Sequence, residues 1–233
     1  MTETWIELAR GPLFRISLAV CLLGLAYRFG STIWLLRTAY NRAGDKHIPG
    51  RVVVRSTLGW LWPIRIVRRR PVYSLASIAF HVGIILVPLF GVGHVALWAG
   101  GLAFWPVLGA TAADVLTWLA LAGLVVVLAE RFFVAASRDL TRKGDVFILL
   151  LLFLLAGSGY FAAHPESAPV APRTLLLVHM LAGNLALILT PLSKIVHCVY
   201  MPLTQLISEI GWHFPAESGR HVTVALAKEN EPI

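Results

Sequence analysis

The fold is decided by a stretch near the end of the chain, VHMLAGN at residues 178–184, which continues through an apolar segment into KIVH at residues 194–197. It places His179 and His197 18 residues apart in a segment apolar enough to cross a membrane. On a continuous helix this spacing is about five turns, so both imidazoles would face the same side. They would stand about 27 Å apart along the axis, at ~1.5 Å rise per residue. We therefore expect one of them near each membrane surface.

A second pair of histidines occurs earlier, with His81 in FHVGI at residues 80–84 and His94 in GVGH at residues 91–94. Their spacing puts them about 140° off a common helix face, at ~100° per residue. Pro88 lies between them and can kink or locally unwind a helix. We expect such a kink to bring the two rings to one side.

The composition is that of a membrane protein. Of 233 residues, 58% are hydrophobic and only 14% are charged, which is too little polar surface for a soluble domain. Cys21 and Cys198 both lie in apolar segments and form neither a disulfide framework nor the Cys-x-x-Cys-His motif of covalent haem attachment. The net charge of +8 could indicate a nucleic-acid partner, but the basic residues cluster in two loops and indicate membrane topology instead.

Apolar segments long enough to span a ~30 Å hydrocarbon core predict a single all-α integral membrane domain over residues 1–233. The predicted spans are five in number and cover residues 12–37, 75–98, 112–135, 146–163 and 174–200.

Basic residues predict the orientation of these spans. The stretch 37–74 carries nine of them and the stretch 131–143 carries four, whereas 99–111 has none and 162–173 has only Arg173. By the positive-inside rule the first two stretches are cytoplasmic. The N-terminus is then outside and the C-terminus inside. His81 and His197 fall near the inner face, and His94 and His179 near the outer face.

Two cytoplasmic segments are expected beside the helical bundle, the loop 38–74 and the tail 201–233. In the loop, Trp60 and Tyr73 interleave with the arginines 68–70, which is typical of an amphipathic segment in the headgroup layer. The loop is either a topology anchor or a docking surface for a cytoplasmic partner. The sequence leaves both open.

Histidine inside a membrane span is costly and marks function by default. A lone histidine is more often an interhelical hydrogen-bond partner, but four at matching depths on two spans favour axial ligands of two haems. Two imidazole ligands leave the haem iron no free position for oxygen, so the iron is suited to electron transfer. Glycines beside the histidines would let a flat macrocycle approach, or would serve only close helix packing. They are Gly83, Gly91, Gly93 and Gly183.

Cationic side chains near the spans are candidate partners of haem propionates. They are Arg28, Lys194 and the arginines 68–70, and Arg28 lies so far inside the first span that a specific partner is expected. The remaining histidines are expected to be surface residues. Among them, only His164 is placed to handle protons at the outer face.

These residues resemble the nitrate reductase gamma subunit family of five-span, di-haem cytochromes b. The resemblance covers essentially the whole chain and is carried by a set of short motifs. They are GPL at 11–13, YR at 27–28, FHVG at 80–83, GH at 93–94 and the two-histidine fifth span. The stretch VPLF at 87–90 and the spacing of His179 and His197 are similar to the subunits that accompany heterodisulfide-reductase-like iron–sulfur proteins.

The resemblance implies haem ligand pairs His81 with His197 and His94 with His179, and a quinol site beside the outer haem, with Gly93 a candidate for its pocket. It implies an integral cytochrome b of the bacterial cytoplasmic membrane that oxidises quinol and passes electrons to a cytoplasmic iron–sulfur subunit and a catalytic subunit. No terminal-acceptor site is expected on this chain. Two alternatives stay open, a quinone reductase and a haem-free membrane anchor whose histidines relay protons.

Overall fold

The computed structural model describes residues 2–43, 47–61, 64–98, 104–214 and 218–230. Parts of three predicted segments therefore lie outside the described residues. They are 44–46 and 62–63 of the predicted cytoplasmic loop, 99–103 of the predicted outer loop, and 215–217 and 231–233 of the predicted tail.

The described residues form α-helices and two short 3-10 turns, with no strand among them. The α-helices, in chain order, are α1 Thr2–Arg10, α2 Pro12–Arg42, α3 Gly50–Leu61, α4 Ile64–Arg69, α5 Pro71–Phe90, α6 Val92–Trp98, α7 Ala110–Phe133, α8 Ala135–Asp139, α9 Lys143–Ala163, α10 Pro172–Leu189, α11 His197–His213 and α12 Ser218–Ala225. The 3-10 turns are Pro165–Ser167 and Lys194–Val196.

Within the described part of the chain, five helical segments are long and apolar enough to cross a membrane. They are Thr2–Arg42, which joins α1 and α2, and then α5, α7, α9 and α10. The prediction of an all-α, multi-pass membrane protein is confirmed at this level. Each predicted span overlaps one of these segments.

Contacts divide the chain into two compact units, one of residues 1–21 and 66–190 and the other of residues 22–65 and 191–233. The core of the first unit lies between α5, α7 and α9. Its buried side chains are Phe80, Leu124, Val127, Leu149 and Leu152. In the first unit, α7 therefore packs against both α5 and α9.

Two glycines let α5 and α7 approach closely. A Cβ on Gly83 would lie 2.2 Å from the carbonyl oxygen of Leu116, and a Cβ on Gly123 would lie 2.4 Å from the carbonyl oxygen of Ala76. Small residues at a helix crossing are typical of membrane bundles because they allow backbone-to-backbone contact. For Gly83, the helix-packing alternative is the one that the structure favours.

The sequence VHMLAGN also holds the N-terminal helix in place. The Asn184 side chain on α10 donates to the carbonyl oxygens of Ala9, at 2.9 Å, and of Met180, at 2.9 Å. Glu3 and Arg173 form an ion pair between the same two helices. Helix α1 is thus tied to α10 near both of its ends.

Charged residues at the predicted inner end of the first unit are paired with each other. Arg70 pairs with Glu130 of α7 and also donates to Ser137 at 3.3 Å. Arg131 lies 4.0 Å from the buried carboxylate of Asp145. Arg70, a candidate for haem propionates, therefore already has a carboxylate partner on the protein.

The continuous fifth span predicted over 174–200 is wrong. Helix α10 ends at Leu189, a 3-10 turn follows at Lys194–Val196, and His197 begins the separate helix α11. Pro191 cannot donate to a helix and is almost fully buried. The Ser193 side chain then accepts from the amide of Ile195 at 3.2 Å and begins the 3-10 turn. The argument that His179 and His197 share one helix face therefore fails.

In the second unit, α3 packs along α11. The rings of Tyr40 and Phe214 stack with centroids 5.5 Å apart. A Cβ on Gly24 would lie 2.6 Å from Pro191, so α2 meets the turn before α11 at this glycine. The predicted cytoplasmic loop contributes α3 and α4 and is thus largely helical where it is described.

Candidate functional site

His94 lies just past a break in the predicted second span. Helix α5 ends at Phe90, Gly91 is extended with φ −65° and ψ 135°, and α6 begins at Val92. The expected kink therefore becomes a complete helix break, three residues beyond Pro88. A Cβ on Gly91 would lie 2.7 Å from the Val87 carbonyl oxygen and 3.1 Å from Nδ1 of His94. Glycine is needed there because the histidine ring packs on the backbone.

Carbonyl groups exposed by this break are satisfied by nearby donors. The indole of Trp98 donates to Pro88 at 3.3 Å, and the indole of Trp105 donates to Leu89 at 2.9 Å. The amide of Leu108 donates to Phe90 at 2.7 Å. A helix break at membrane depth requires such partners, because lipid offers none. Two tryptophans thus stabilise the backbone that positions His94.

His179 is held on α10 by its neighbour α9. Its Nδ1 donates to the carbonyl oxygen of Leu155 at 2.9 Å. A Cβ on Gly159 would lie 2.7 Å from Cε1 and 2.8 Å from Nδ1 of the same ring. The ring therefore occupies the space that a side chain at residue 159 would fill, and Leu155 fixes its tautomer.

The structure brings His94 and His179 together. Their ring centroids are 5.7 Å apart, with an interplanar angle of 61°. Metal–imidazole bonds are about 2 Å long, so two rings on opposite sides of one iron would have centres roughly 6 Å apart. His94 bonds the backbone of Val87, as His179 bonds that of Leu155. The donor set therefore fits a bis-imidazole iron.

His81 and His197 are each held by a backbone carbonyl of their own segment. Nδ1 of His81 donates to the carbonyl oxygen of Ser77 at 2.7 Å, and Nδ1 of His197 donates to that of Lys194. A proton held on Nδ1 leaves the lone pair of a neutral imidazole on Nε2, the nitrogen that then coordinates metals. His81 lies in the first unit and His197 in the second. Their pairing stays a prediction.

The glycines predicted to line a macrocycle differ in their surroundings. Gly91 adjoins His94, whereas Gly83 faces α7. A Cβ on Gly93 would meet no described atom within 4 Å, and one on Gly183 would make an ordinary 3.6 Å contact with Leu155. Gly93 thus leaves open space one residue from His94, and its place in a quinol pocket stays a prediction.

Arg28 and Lys194, two other propionate candidates, both belong to the second unit. Arg28 was expected to have a specific partner because it lies far inside the first span. Its side chain is exposed on the described helices, and the partner stays a prediction. Lys194 is also exposed, in the turn before His197. Their roles as propionate partners stay predictions.

Sequence reasoning missed Gly159, which lies against His179. The sequence offers GSGY at 157–160, but a Cβ on Gly157 would meet no described atom within 4 Å. The sequence alone cannot tell these two glycines apart, because the rotation of α9 about its axis decides which of them faces His179. Trp98 and Trp105 were missed as well, because nothing in the sequence indicates which carbonyls the helix break exposes.

Comparison with known proteins finds a relative of similar length. A protein of Nitratidesulfovibrio vulgaris strain Hildenborough, named only "Protein", is 32% identical over 221 residues, which cover 90% of this chain and 93% of the relative. No protein-family model matches the chain. No solved structure matches it either. By this extent of identity, the chain belongs to the same family as the N. vulgaris protein.

Proposed function

We propose that this chain is a di-haem cytochrome b of the bacterial cytoplasmic membrane, of the kind that the nitrate reductase gamma subunits represent. The observation that carries the proposal is the placement of His94 and His179 with ring centroids 5.7 Å apart. Each ring is held by a backbone carbonyl and packs where a glycine leaves room. Such support fixes the tautomer and the direction of an axial ligand.

Haem, when bound, supplies one-electron redox chemistry at its iron. In this proposal His94 and His179 hold the outer haem, and His81 and His197 hold the inner one. The protein's part is to orient four imidazoles, exclude water with apolar helices and set two tiers at different depths. Arg28 and Lys194 are proposed partners of the propionates.

The proposed direction of electron flow is from quinol at the outer face, beside His94 and Gly93, to a cytoplasmic iron–sulfur subunit. The accompanying catalytic subunit would be nitrate reductase-like or heterodisulfide reductase-like. Support comes from charge, because the nine basic residues of 37–74 offer an electropositive inner surface. The opposite direction, quinone reduction, uses the same residues.

The proposal is tested by counting haem. Pyridine haemochrome assay of the purified chain should give two non-covalent b haems. His94→Ala and His179→Ala should each lose the same haem and block reduction of the other by quinol. His81→Ala and His197→Ala should each lose the second haem, while quinol still reduces the first.

His221→Ala provides the matched control, because His221 is an exposed histidine on α12. This variant should retain both haems. Insertion of every variant must be checked first, since a haem that binds only the folded state also stabilises it. Stably inserted wild-type protein without haem would exclude the proposal and favour the haem-free proton relay.

A further inference from the structure

A cluster of polar and aromatic side chains links α7, α9 and the end of α9 at His164 in the first unit. Nε2 of His164 lies 3.3 Å from Oδ2 of Asp114 on α7. Nδ1 of His164 donates to the carbonyl oxygen of Tyr160 at 3.0 Å. The rings of His164 and Tyr160 also stack, with centroids 4.4 Å apart. Three separate contacts therefore hold the His164 ring in one orientation.

This cluster adjoins the residues that position His179. Tyr160 follows Gly159, the residue against which the His179 ring packs. Tyr160 also meets Trp118 of α7 with ring centroids 5.0 Å apart. By the charge distribution the cluster lies at the outer end of the helices, where the proposed quinol site lies.

The chemistry of the pair suits proton transfer to water. The side chains of His164 and Asp114 are 26% and 35% exposed, so each reaches solvent at the end of its helix. The hydrogen bond to Tyr160 and the charges of Asp114 and Glu166 raise the pKa of His164 above its ordinary value, against a smaller opposing effect of desolvation. The raised pKa of His164 favours an imidazolium that lies 3.3 Å from the Asp114 carboxylate.

Resting on the proposed function, we infer that Asp114 and His164 form the proton exit for quinol oxidation at the outer face. Asp114 accepts the proton that leaves a quinol hydroxyl group. Its charge is then neutralised, and His164 gives its Nε2 proton to external water. The proton on Asp114 next moves to Nε2 and restores the pair.

The stoichiometry is complete over two such cycles. Each quinol loses two protons through the pair and two electrons to ferric haem, the oxidant in the proposed function, and becomes quinone. Each electron reduces one ferric iron to ferrous iron. Asp114 and His164 return to their starting protonation states after each proton.

The experiment uses the full haem-loaded chain in detergent with a soluble quinol. Asp114→Asn should slow quinol-driven haem reduction on the order of 100-fold, the usual contribution of a positioned acid–base group. Asp114→Glu should restore most of the rate. Dithionite, which needs no proton acceptor, should reduce the haems of both variants as fast as those of wild type.

A spectroscopic signature separates proton transfer from a merely structural role. Infrared difference spectra of wild type during quinol oxidation should show a protonated carboxyl band that shifts in heavy water. Asp114→Asn should lack that band, and His164→Gln should retain it while slowing its decay. Asp139→Asn is the matched control, because Asp139 is an exposed carboxylate in α8 that pairs only with Arg138 among the described residues.

Two results are distinguishable. If haem-loaded Asp114→Asn is reduced by quinol as fast as wild type, or keeps the carboxyl band, the inference is wrong while the proposed function stands. If wild-type protein contains haem that quinol does not reduce and quinone does not oxidise, the proposed function fails and the inference fails with it.

Discussion

At the scale of single residues, His94 and His179 are each positioned by a glycine that leaves room for the ring and by a backbone carbonyl that the ring contacts. Gly159 gives the His179 ring its space and Leu155 fixes its tautomer. Gly91 does the same for His94 beside the backbone of Val87. The direction of the two histidine rings therefore depends on residues that carry no chemistry of their own.

Gly159→Ala tests this dependence. The added Cβ would lie 2.7 Å from the His179 ring, closer than packed carbon atoms approach, so the ring must turn away. We expect purified Gly159→Ala to lose the outer haem and keep the inner one, as measured by pyridine haemochrome. Gly157→Ala on the same helix meets open space and should retain both haems. Equal haem content in the two variants would contradict this role of Gly159.

The pKa of His164 should lie above the ordinary histidine value. The hydrogen bond to the Tyr160 carbonyl has the largest effect and raises the pKa of His164. Desolvation lowers this pKa, and the charges of Asp114 and Glu166 raise it. Because the folded pKa is raised, the pair stabilises the folded state at low pH. That contribution is lost as pH rises through the raised pKa of His164.

Nuclear magnetic resonance of ¹⁵N-labelled histidine measures the pKa of His164 directly. The His164→Gln variant identifies the signal of this residue. Asp114→Asn should lower the pKa of His164, whereas Asp139→Asn should leave it unchanged. A His164 pKa at or below about 6.5 in wild type would show that the ion pair does not form in solution.

At the scale of helices, α5 and α7 are held together by reciprocal glycines. Gly83 faces the backbone of Leu116, and Gly123 faces the backbone of Ala76. The partner atoms are backbone oxygens, which cannot turn aside as a flexible side chain can. Helix α5 also carries His81, which directly follows the core residue Phe80.

Gly83→Leu should therefore destabilise the protein by about 1–3 kcal/mol, the usual cost of overpacking. Thermal unfolding in detergent, followed by circular dichroism, measures the change as a lower melting temperature. Gly144→Ala is the control, because a Cβ there meets no described atom within 4 Å and alanine favours a helix. If both variants have the same melting temperature as wild type, the close crossing of α5 and α7 is absent in solution.

At the scale of the whole molecule, the distribution of charge predicts one orientation. Thirteen basic residues lie in the stretches 37–74 and 131–143, against one in the stretches 99–111 and 162–173. Reporter fusions at residues 105 and 168 should read as external, because basic loops are retained on the cytoplasmic side. An alkaline phosphatase fusion that is inactive at either position would reverse the assignment of outer and inner histidines.

Segment length and apolar composition alone predicted five spanning segments, because burying an unbroken helix in lipid depends mainly on these two properties. The boundaries differ by a few residues at most helix ends. The exceptions are the second and fifth spans, which break at Gly91 and after Leu189. Both stretches contain proline, and the sequence TPLS at 190–193 could have indicated the second break.

The sequence by itself determined the helical membrane fold, the candidate histidines and the asymmetry of charge. Only the tertiary structure decided that His94 faces His179, that Gly159 rather than Gly157 meets that ring, and that His164 pairs with Asp114. The physical reason is that composition and charge determine the membrane insertion and orientation of each segment by itself. Contacts between side chains on different helices depend on the rotation and depth of each helix, which packing sets.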